Sequence, residues 1–393
     1  MRRHGTIVSP SEQGGQLMTK VHAALDQAAQ AHLSEVEAIA AIPAPSFEEH
    51  DRAVHVARRF REVGLSDVMV DEADNARGIL PGGAPHPHVL LAAHLDTVYP
   101  RDAHQPPRRS DSQLVGSSVR DNSPGVAALI TLAAALGATG ARPPGTVEFI
   151  STSGEEGLGD LRGIRRRLRP QEPRPDAVLV VDGRLGQIVH QGIAVRRFAV
   201  KFEADGGHSW GEFGAPSAIH HIASLVHALS QTSVPSDPKT TYNVGVIRGG
   251  TSVNAIASSA EIQVDLRSVE TRWVDNLSAL LQRLVKAEEQ KGVRASVTVI
   301  GDRPGGRIAA DHPLVAAVQD VHRAHGIEPH LAAGSTDANI PLALGIPCVS
   351  MGVSRGGRTH SPGEWMDTTS LLTGLHLLAD VVQAVVNVSA TSR

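Results

Sequence analysis

The order of apolar and helix-like segments predicts an α/β fold: a mostly parallel sheet flanked by helices, interrupted by an inserted ferredoxin-like α+β domain. Three observations carry this. Short apolar runs alternate with helical periodicity in the first half of the chain, and that alternation resumes after about Ile308. Between the two parts the order changes to β-α-β-β-α-β. A chain of 393 residues also exceeds one ordinary core, so two domains are expected. The expected boundaries are a disordered leader at 1–17, one domain built from 18–193 and 307–393, and the insertion at 194–306.

Taken in order, the leader has Arg2 and Arg3 but continues as polar, Gly-containing sequence without the apolar core of a signal peptide. Helical periodicity runs from about Lys20 to Ala40. Pro43-Ala44-Pro45 then turns the chain to Ser46, with Glu49 three residues later, a capping-box pattern opening a second helix to about Val63. The apolar runs at 89–93, 147–150 and 177–181 read as strands, and the segments at 126–136 and 161–168 as helices. In the insertion, strands are expected at 196–203, 241–247, 261–267 and 296–300, with helices at 217–230 and 272–290. Gly206-Gly207 and Gly305-Gly306 lie near its ends, where turn chemistry also permits hinge movement. Pro313 then opens a helix to Ala324, followed by a strand at 348–351 and a long helix from about Thr369.

Composition excludes several classes. Hydrophobic residues at 41% and charged residues at 20% are globular values. A formal charge of −4 offers no basic excess for phosphate backbones or anionic membranes, so neither nucleic acid nor membrane is an expected partner. Cys348 is the single cysteine, which rules out an intrachain disulfide and points to a cytoplasmic location. No run approaches the roughly 18 apolar residues of a membrane span, and a soluble protein is expected.

The chemistry-bearing residues collect at one predicted sheet edge. His94 and Asp96 follow the run at 89–93, Glu155-Glu156 follow the run at 147–150, and Asp182 follows the run at 177–181. In open α/β sheets the carboxyl ends of the strands are where ligands bind. Singly, each has an ordinary reading as an acidic turn, loop starter or helix cap. Together with Asp121, just before a helix, they concentrate negative charge that a cation offsets. A mixed His, Asp and Glu set suits Zn²⁺, with Mn²⁺ or Co²⁺ as substitutes. His360 can add a second imidazole, although 20 histidines make coincidence easy.

At these residues the sequence resembles the co-catalytic zinc metallopeptidase family that includes peptidase T, dipeptidases, glutamate carboxypeptidase, aminoacylase and acetylornithine deacetylase. The resemblance rests on Leu91-Ala92-Ala93-His94-Leu95-Asp96-Thr97-Val98, Asp121-Asn122-Ser123-Pro124-Gly125-Val126, Ser153-Gly154-Glu155-Glu156-Gly157, Val181-Asp182-Gly183 and His360. In the insertion it rests on Gly206-Gly207-His208-Ser209, on the run from Gly249 through Asn254 to Ile256, and on Asp265-Leu266-Arg267. It implies a zinc-exopeptidase-like catalytic domain with an inserted dimerisation or lid domain.

The resemblance also implies roles. Asp121 bridges two divalent ions, His94 and Asp182 complete one site, and Glu156 and His360 the other. Glu155 is the general base, Asp96 supports His94, and the Asp121–Asn122 peptide bond is cis. His208 is implied as a donor to the oxyanion of a partner subunit's site, which makes a homodimer the expected assembly. Asn254 and Arg267 match substrate-binding positions, and Ser335 and Thr336 fall in a substrate-contacting loop. Asp182, where relatives that deacylate more often have glutamate, and the segment Gly207-His208-Ser209-Trp210 resemble the peptidase T-like branch. The expected activity is therefore cleavage of small peptides by an aminopeptidase or dipeptidase. An N-acyl amino acid deacylase or carboxypeptidase is the alternative, and an inactive peptide-binding relative is a third reading that the base Glu155 opposes.

Overall fold

The apolar runs of the sequence form the parallel centre of a nine-stranded sheet. The computed structural model describes residues 10–140, 143–289 and 292–391. It divides into one unit of Met1–His190 with Arg307–Arg393 and a second of Gln191–Gly306. The first unit opens with α1 (Pro10–Ala40), α2 (His50–Glu62), β1 (Ser66–Val70), β2 (Ala76–Leu80) and β3 (His88–His94). Next come β4 (Arg108–Ser110), β5 (Gln113–Val115), α3 (Ser123–Ala138), β6 (Thr146–Thr152), α4 (Arg162–Arg167), β7 (Ala177–Val181) and β8 (Gln187–Gly192). The second unit holds β9 (Ala194–Glu203), β10 (Gly207–His208), α5 (Ala218–Ser230), β11 (Thr240–Gly249), β12 (Ala255–Ile256), β13 (Ser259–Ser268), α6 (Thr271–Glu289) and β14 (Arg294–Arg303). The chain closes with β15 (Gly306–Arg307), α7 (Pro313–Ala324), β16 (His330–Gly334), α8 (Asn339–Ala343), β17 (Cys348–Met351), β18 (Arg355–Gly357), β19 (Trp365–Asp367) and α9 (Leu371–Thr391).

The large sheet has the order β1-β2-β6-β3-β7-β17-β8-β15, with β16 against β8. Strands β6, β3, β7 and β17 pair in parallel, whereas β1, β2 and β8 join antiparallel at the flanks. The central strands are buried on both faces, which is why they read as unbroken apolar runs rather than alternating ones. Val89, Leu91 and Ala93 of β3 face one core cluster with α1, α3 and α9, and Leu90 and Ala92 face the other with Ile164 and Ile340. The short antiparallel flanks carry no sequence signal because strands such as β1 are half exposed and have no apolar run.

Two expectations require correction. Helix α1 begins at Pro10, and Leu17 and Met18 pack against the core, so residues 10–17 are helix rather than disordered leader; residues 1–9 lie outside the described ones. One helical stretch, Thr368–Thr391, is long and apolar enough by composition to cross a membrane, contrary to the expectation that no run is. Its window is 56% buried, and Leu371, Leu375, Leu378, Val382 and Val386 lie in the core, so packing accounts for its apolarity.

In the second unit, β11-β13-β9-β14 form a four-stranded antiparallel sheet. Phe198, Val200 and Phe202 alternate along β9 and meet Ile222, Leu225 and Leu229 of α5 and Leu277, Leu281 and Val285 of α6. The six main elements follow β-α-β-β-α-β, the ferredoxin-like order. The two-residue pair β10–β12 is an addition that ties the loop at His208 to the one at Ala255.

Candidate metal centre and active site

Parallel pairing brings the ends of β3 and β6 level, with His94 opposite Thr152, so the loops that follow them leave the sheet at one edge. His94 is buried, its Nδ1 3.1 Å from the Asp96 carbonyl oxygen and its Nε2 2.9 Å from Asp121 Oδ1. A carbonyl only accepts, so Nδ1 carries a proton, and Nε2, turned to the Asp121 carboxylate, is the nitrogen that a metal would take once it gives up its own proton. Asp121 stands between two imidazoles. Its Oδ1 faces His94, and its Oδ2 lies 3.3 Å from His360 Nε2. The same His360 nitrogen is 2.6 Å from Glu156 Oε1. Candidate ligand atoms of His94, Asp121 and Glu156 all lie within 4.8 Å of one another.

The loop before α3 is fixed by groups that sequence patterns did not single out. The Asp121–Asn122 peptide bond is cis, as the resemblance implied. Glu364 Oε1 accepts the backbone N–H of Arg120 at 2.8 Å and of Asp121 at 3.0 Å, while the Tyr99 hydroxyl donates to Glu364 Oε2 at 3.0 Å. Asn122 Nδ2 donates to the Val181 carbonyl at 2.7 Å, beside Asp182. Glu364 lies four residues past His360, but neither spacing nor periodicity marks it in the sequence.

Asp96 organises the opposite side. It is fully buried and accepts Glu155 N–H on Oδ1 and Glu156 N–H on Oδ2, both at 2.8 Å. The Ser46 hydroxyl donates to Asp96 Oδ2 at 2.6 Å. The expected capping box is therefore absent: Glu49 at the start of α2 makes no side-chain cap, and it accepts Gly154 N–H at 2.9 Å and pairs with Arg162. A buried carboxylate outcompetes a backbone amide for the Ser46 hydroxyl, because hydrogen bonds to charged acceptors are the stronger ones.

The electrostatics favour added positive charge at this cluster. Burial disfavours the His94 cation, yet the Asp121 and Asp96 carboxylates and the charge of Glu155 outweigh it and raise its pKa well above the ordinary value. Hydrogen bonds to Asp121 and Glu156 lift His360 to about 10. Burial and the Asp121 charge push Asp182 up to about 6. Crowded carboxylates thus hold extra protons on imidazole and on one another, the task a divalent cation performs in their place. The donor set fits such an ion, with two nitrogens and several carboxylate oxygens.

The loop at 334–339 contributes Ser335 and Thr336, both half-buried. Thr336 N–H is taken by Asn339 Oδ1 and Ala338 N–H by Thr336 Oγ1, each at 3.1 Å, so these amides are already satisfied within a loop leading to a helix of only five residues. Asp337, in the same loop, is buried and accepts the Thr152 hydroxyl, leaving its Oδ1 without a partner. Burial raises its pKa to about 6.

His208, Asn254 and Arg267 belong to the other unit. His208 is exposed, and its Nδ1 accepts the N–H of Trp210 at 3.2 Å and of Gly211 at 3.3 Å, which leaves the ring proton on Nε2 as an outward donor. Asn254 accepts Ser209 N–H through its carbonyl at 3.0 Å and the Ser252 hydroxyl through Oδ1 at 2.6 Å. Arg267 Nε pairs with Asp265 at 2.6 Å, as an ordinary surface ion pair does.

Known proteins resemble this chain along most of its length. A Bacillus subtilis protein designated YqjE is 24% identical over 348 residues, covering 83% of this chain and 90% of that one. The acetylornithine deacetylase of Klebsiella pneumoniae is 23% identical over 312 residues, covering 75% and 79%. Among solved structures, a tripeptidase from Staphylococcus aureus superposes with a TM-score of 0.76 at 23% identity over 92% of this chain and 99% of that one, a likeness that speaks for the fold. The profile of Peptidase family M20/M25/M40 matches residues 90–384, most of the chain, and the chain belongs to that family.

Proposed function

We propose that the chain is a two-metal hydrolase that cleaves the amide bond of small peptides, as an aminopeptidase or dipeptidase. The observation that carries this is Asp121 with each oxygen turned to a different imidazole, His94 and His360, beside Glu156. His94, Asp121 and Asp182 would hold one ion, and Asp121, Glu156 and His360 the other, with Zn²⁺ best matched to the donors and Mn²⁺ or Co²⁺ as substitutes. When bound, such a pair supplies a water of lowered pKa and polarises the scissile carbonyl.

The chain's own groups account for the remaining chemistry. Glu155 is held by its backbone N–H on Asp96, beside Glu156 and near enough to His94 for its charge to act there. It takes the proton from the attacking water and returns it to the leaving amine. Asp96 orients the loop carrying Glu155 and Glu156 while its carbonyl fixes the His94 tautomer. His208, whose proton sits on Nε2, is suited to donate to the developing oxyanion. A homodimer through the second unit is part of this proposal, with His208 serving the partner's site. The substrate's carboxylate, where present, is assigned to Arg267 and Asn254 and the substrate backbone to the loop of Ser335 and Thr336.

Deacylation of N-acyl amino acids is the second reading, favoured by relatives named acetylornithine deacetylase and N-acetyl-L-citrulline deacetylase, the latter 31% identical over 237 residues from Xanthomonas campestris. The deciding experiment loads purified protein with Zn²⁺, Mn²⁺ or Co²⁺ and screens dipeptides, tripeptides and N-acyl amino acids. Peptide cleavage supports the first reading, exclusive N-acyl cleavage the second, and no hydrolysis with any metal sinks both.

A further inference from the structure

Phe47 is an aromatic residue in a place that neither backbone preference nor packing explains. Its φ is 78°, in the left-handed region that bulky side chains avoid. Its ring is 60% exposed, and the contact that holds it is the Arg162 guanidinium, 5.4 Å from the ring centroid. Core burial therefore does not offset the cost of the conformation.

Its position does suggest an explanation. Ser46, one residue earlier, reaches Asp96 at 2.6 Å and the Glu156 carbonyl at 3.2 Å, and Pro45 bridges to Thr97. Phe47 is thereby pinned beside the loops that carry the candidate ligands and base. Two more apolar side chains stand in water on those same loops: Val98, two residues after Asp96, and Leu158, two residues after Glu156. Apolar surface kept in water at the mouth of a polar site is characteristic of a binding surface, since pockets orient ligands with a few polar groups and gain affinity from apolar walls. Strained residues, likewise, persist where function holds them.

We propose that Phe47 is a specificity-determining residue, receiving the apolar side chain of the substrate residue next to the scissile bond, with Val98 and Leu158 completing the apolar lip. The inference rests on the function proposed above and names its substrate class: amides flanked by a large aliphatic or aromatic residue.

The test compares wild type, Phe47→Gly and Phe47→Tyr, each metal-loaded, on matched pairs: Leu-Gly and Gly-Gly, Leu-Gly-Gly and triglycine, N-acetylleucine and N-acetylglycine. The readout is the kcat/KM ratio of the leucine to the glycine member in whichever pair is cleaved. Phe47→Gly should lower that ratio by about tenfold, the scale of apolar discrimination in a pocket. Its melting temperature should hold or rise, because glycine adopts this φ without strain. Phe47→Tyr, which keeps the ring, should preserve the ratio. A lowered melting temperature with both substrates falling together would show that Phe47 merely props the loop, and would overturn the inference. An unchanged ratio in Phe47→Gly overturns it alone and leaves the proposed function standing; hydrolysis of nothing by wild type overturns both.

Discussion

Asp96→Asn tests the buried carboxylate that holds the loop of Glu155 and Glu156. The substitution is isosteric but exchanges one acceptor oxygen for an NH₂ donor. In the native chain Oδ1 accepts Glu155 N–H at 2.8 Å, and Oδ2 accepts Glu156 N–H at 2.8 Å and the Ser46 hydroxyl at 2.6 Å. Either orientation of the amide therefore faces a backbone N–H with another donor. At least one hydrogen bond to a buried charge is lost, and such bonds contribute about 1.5–3 kcal/mol each. With the surviving bonds weakened by the missing charge, unfolding free energy should fall by about 3 kcal/mol, a large share of the roughly 5–15 kcal/mol of an ordinary domain. The backbone carbonyl of residue 96 still faces His94 Nδ1, but the carboxylate charge 3.6 Å from that nitrogen is gone, so zinc affinity should drop about 10–100-fold.

The measurements are urea unfolding of the chelator-stripped protein and zinc content after dialysis at fixed free zinc. The pH dependence adds a second arm. Burial opposes the Asp96 carboxylate, but the neighbouring His94 imidazole and its charge, with hydrogen bonds from the Ser46 hydroxyl and the Glu156 N–H, outweigh it, so its folded pKa lies below the ordinary one. Its stabilisation is full above the unfolded value of about 3.9 and is lost as pH falls through the lower folded value. The gap between wild type and variant should stay level from neutral pH down to about 5 and then close below about 4. An Asn variant within about 1 kcal/mol of wild type at pH 7, with normal zinc content, would refute this role for Asp96.

Four other outcomes are expected. Glu155→Ala should cut kcat at least about 10²-fold to 10⁴-fold while metal content by elemental analysis stays near wild type; loss of both metals would mean base and ligand have been confused. Asp121→Ala should lower occupancy of both sites together, and a variant retaining two tightly bound ions would contradict the bridging role. Mixing inactive Glu155→Ala and His208→Ala chains should restore up to about a quarter of wild-type activity if each His208 serves its partner's site, and verified mixed dimers without activity would exclude that. For Asp337, burial raises the folded pKa to about 6, so the stability it permits is full below the unfolded value and declines as pH rises through about 6. In metal-free protein Asp337→Asn should remove that decline and be about 2–3 kcal/mol more stable than wild type at pH 8; equal or lower stability by urea unfolding would sink this reading.

The ligand candidates were legible because they follow strands whose own signal is strong. Burial on both faces made β3 and β7 unbroken apolar runs and β6 one interrupted only by Glu148, and the residues at their ends could be placed without knowing any contact. α7 and β17 begin and end where Pro313, Cys348 and the apolar pattern put them. The ferredoxin-like order of the second unit was equally local, readable from period and spacing alone. Local pattern failed where two partners competed. Ser46 has the sequence of a helix cap, and only the approach of Asp96, fifty positions away in the chain, makes it a donor to that carboxylate instead. Glu364 and Asp337 look like ordinary acidic residues until folding buries one against the amides of Arg120 and Asp121 and the other against Thr152. Sequence by itself determined the class of fold, the edge of the sheet where chemistry collects and the residue types gathered there. Tertiary structure decided which oxygen faces which imidazole, which nitrogen of His94 turns to Asp121, and that an aromatic stands exposed at positive φ at Phe47, because those outcomes depend on long-range approach and burial that no local pattern encodes.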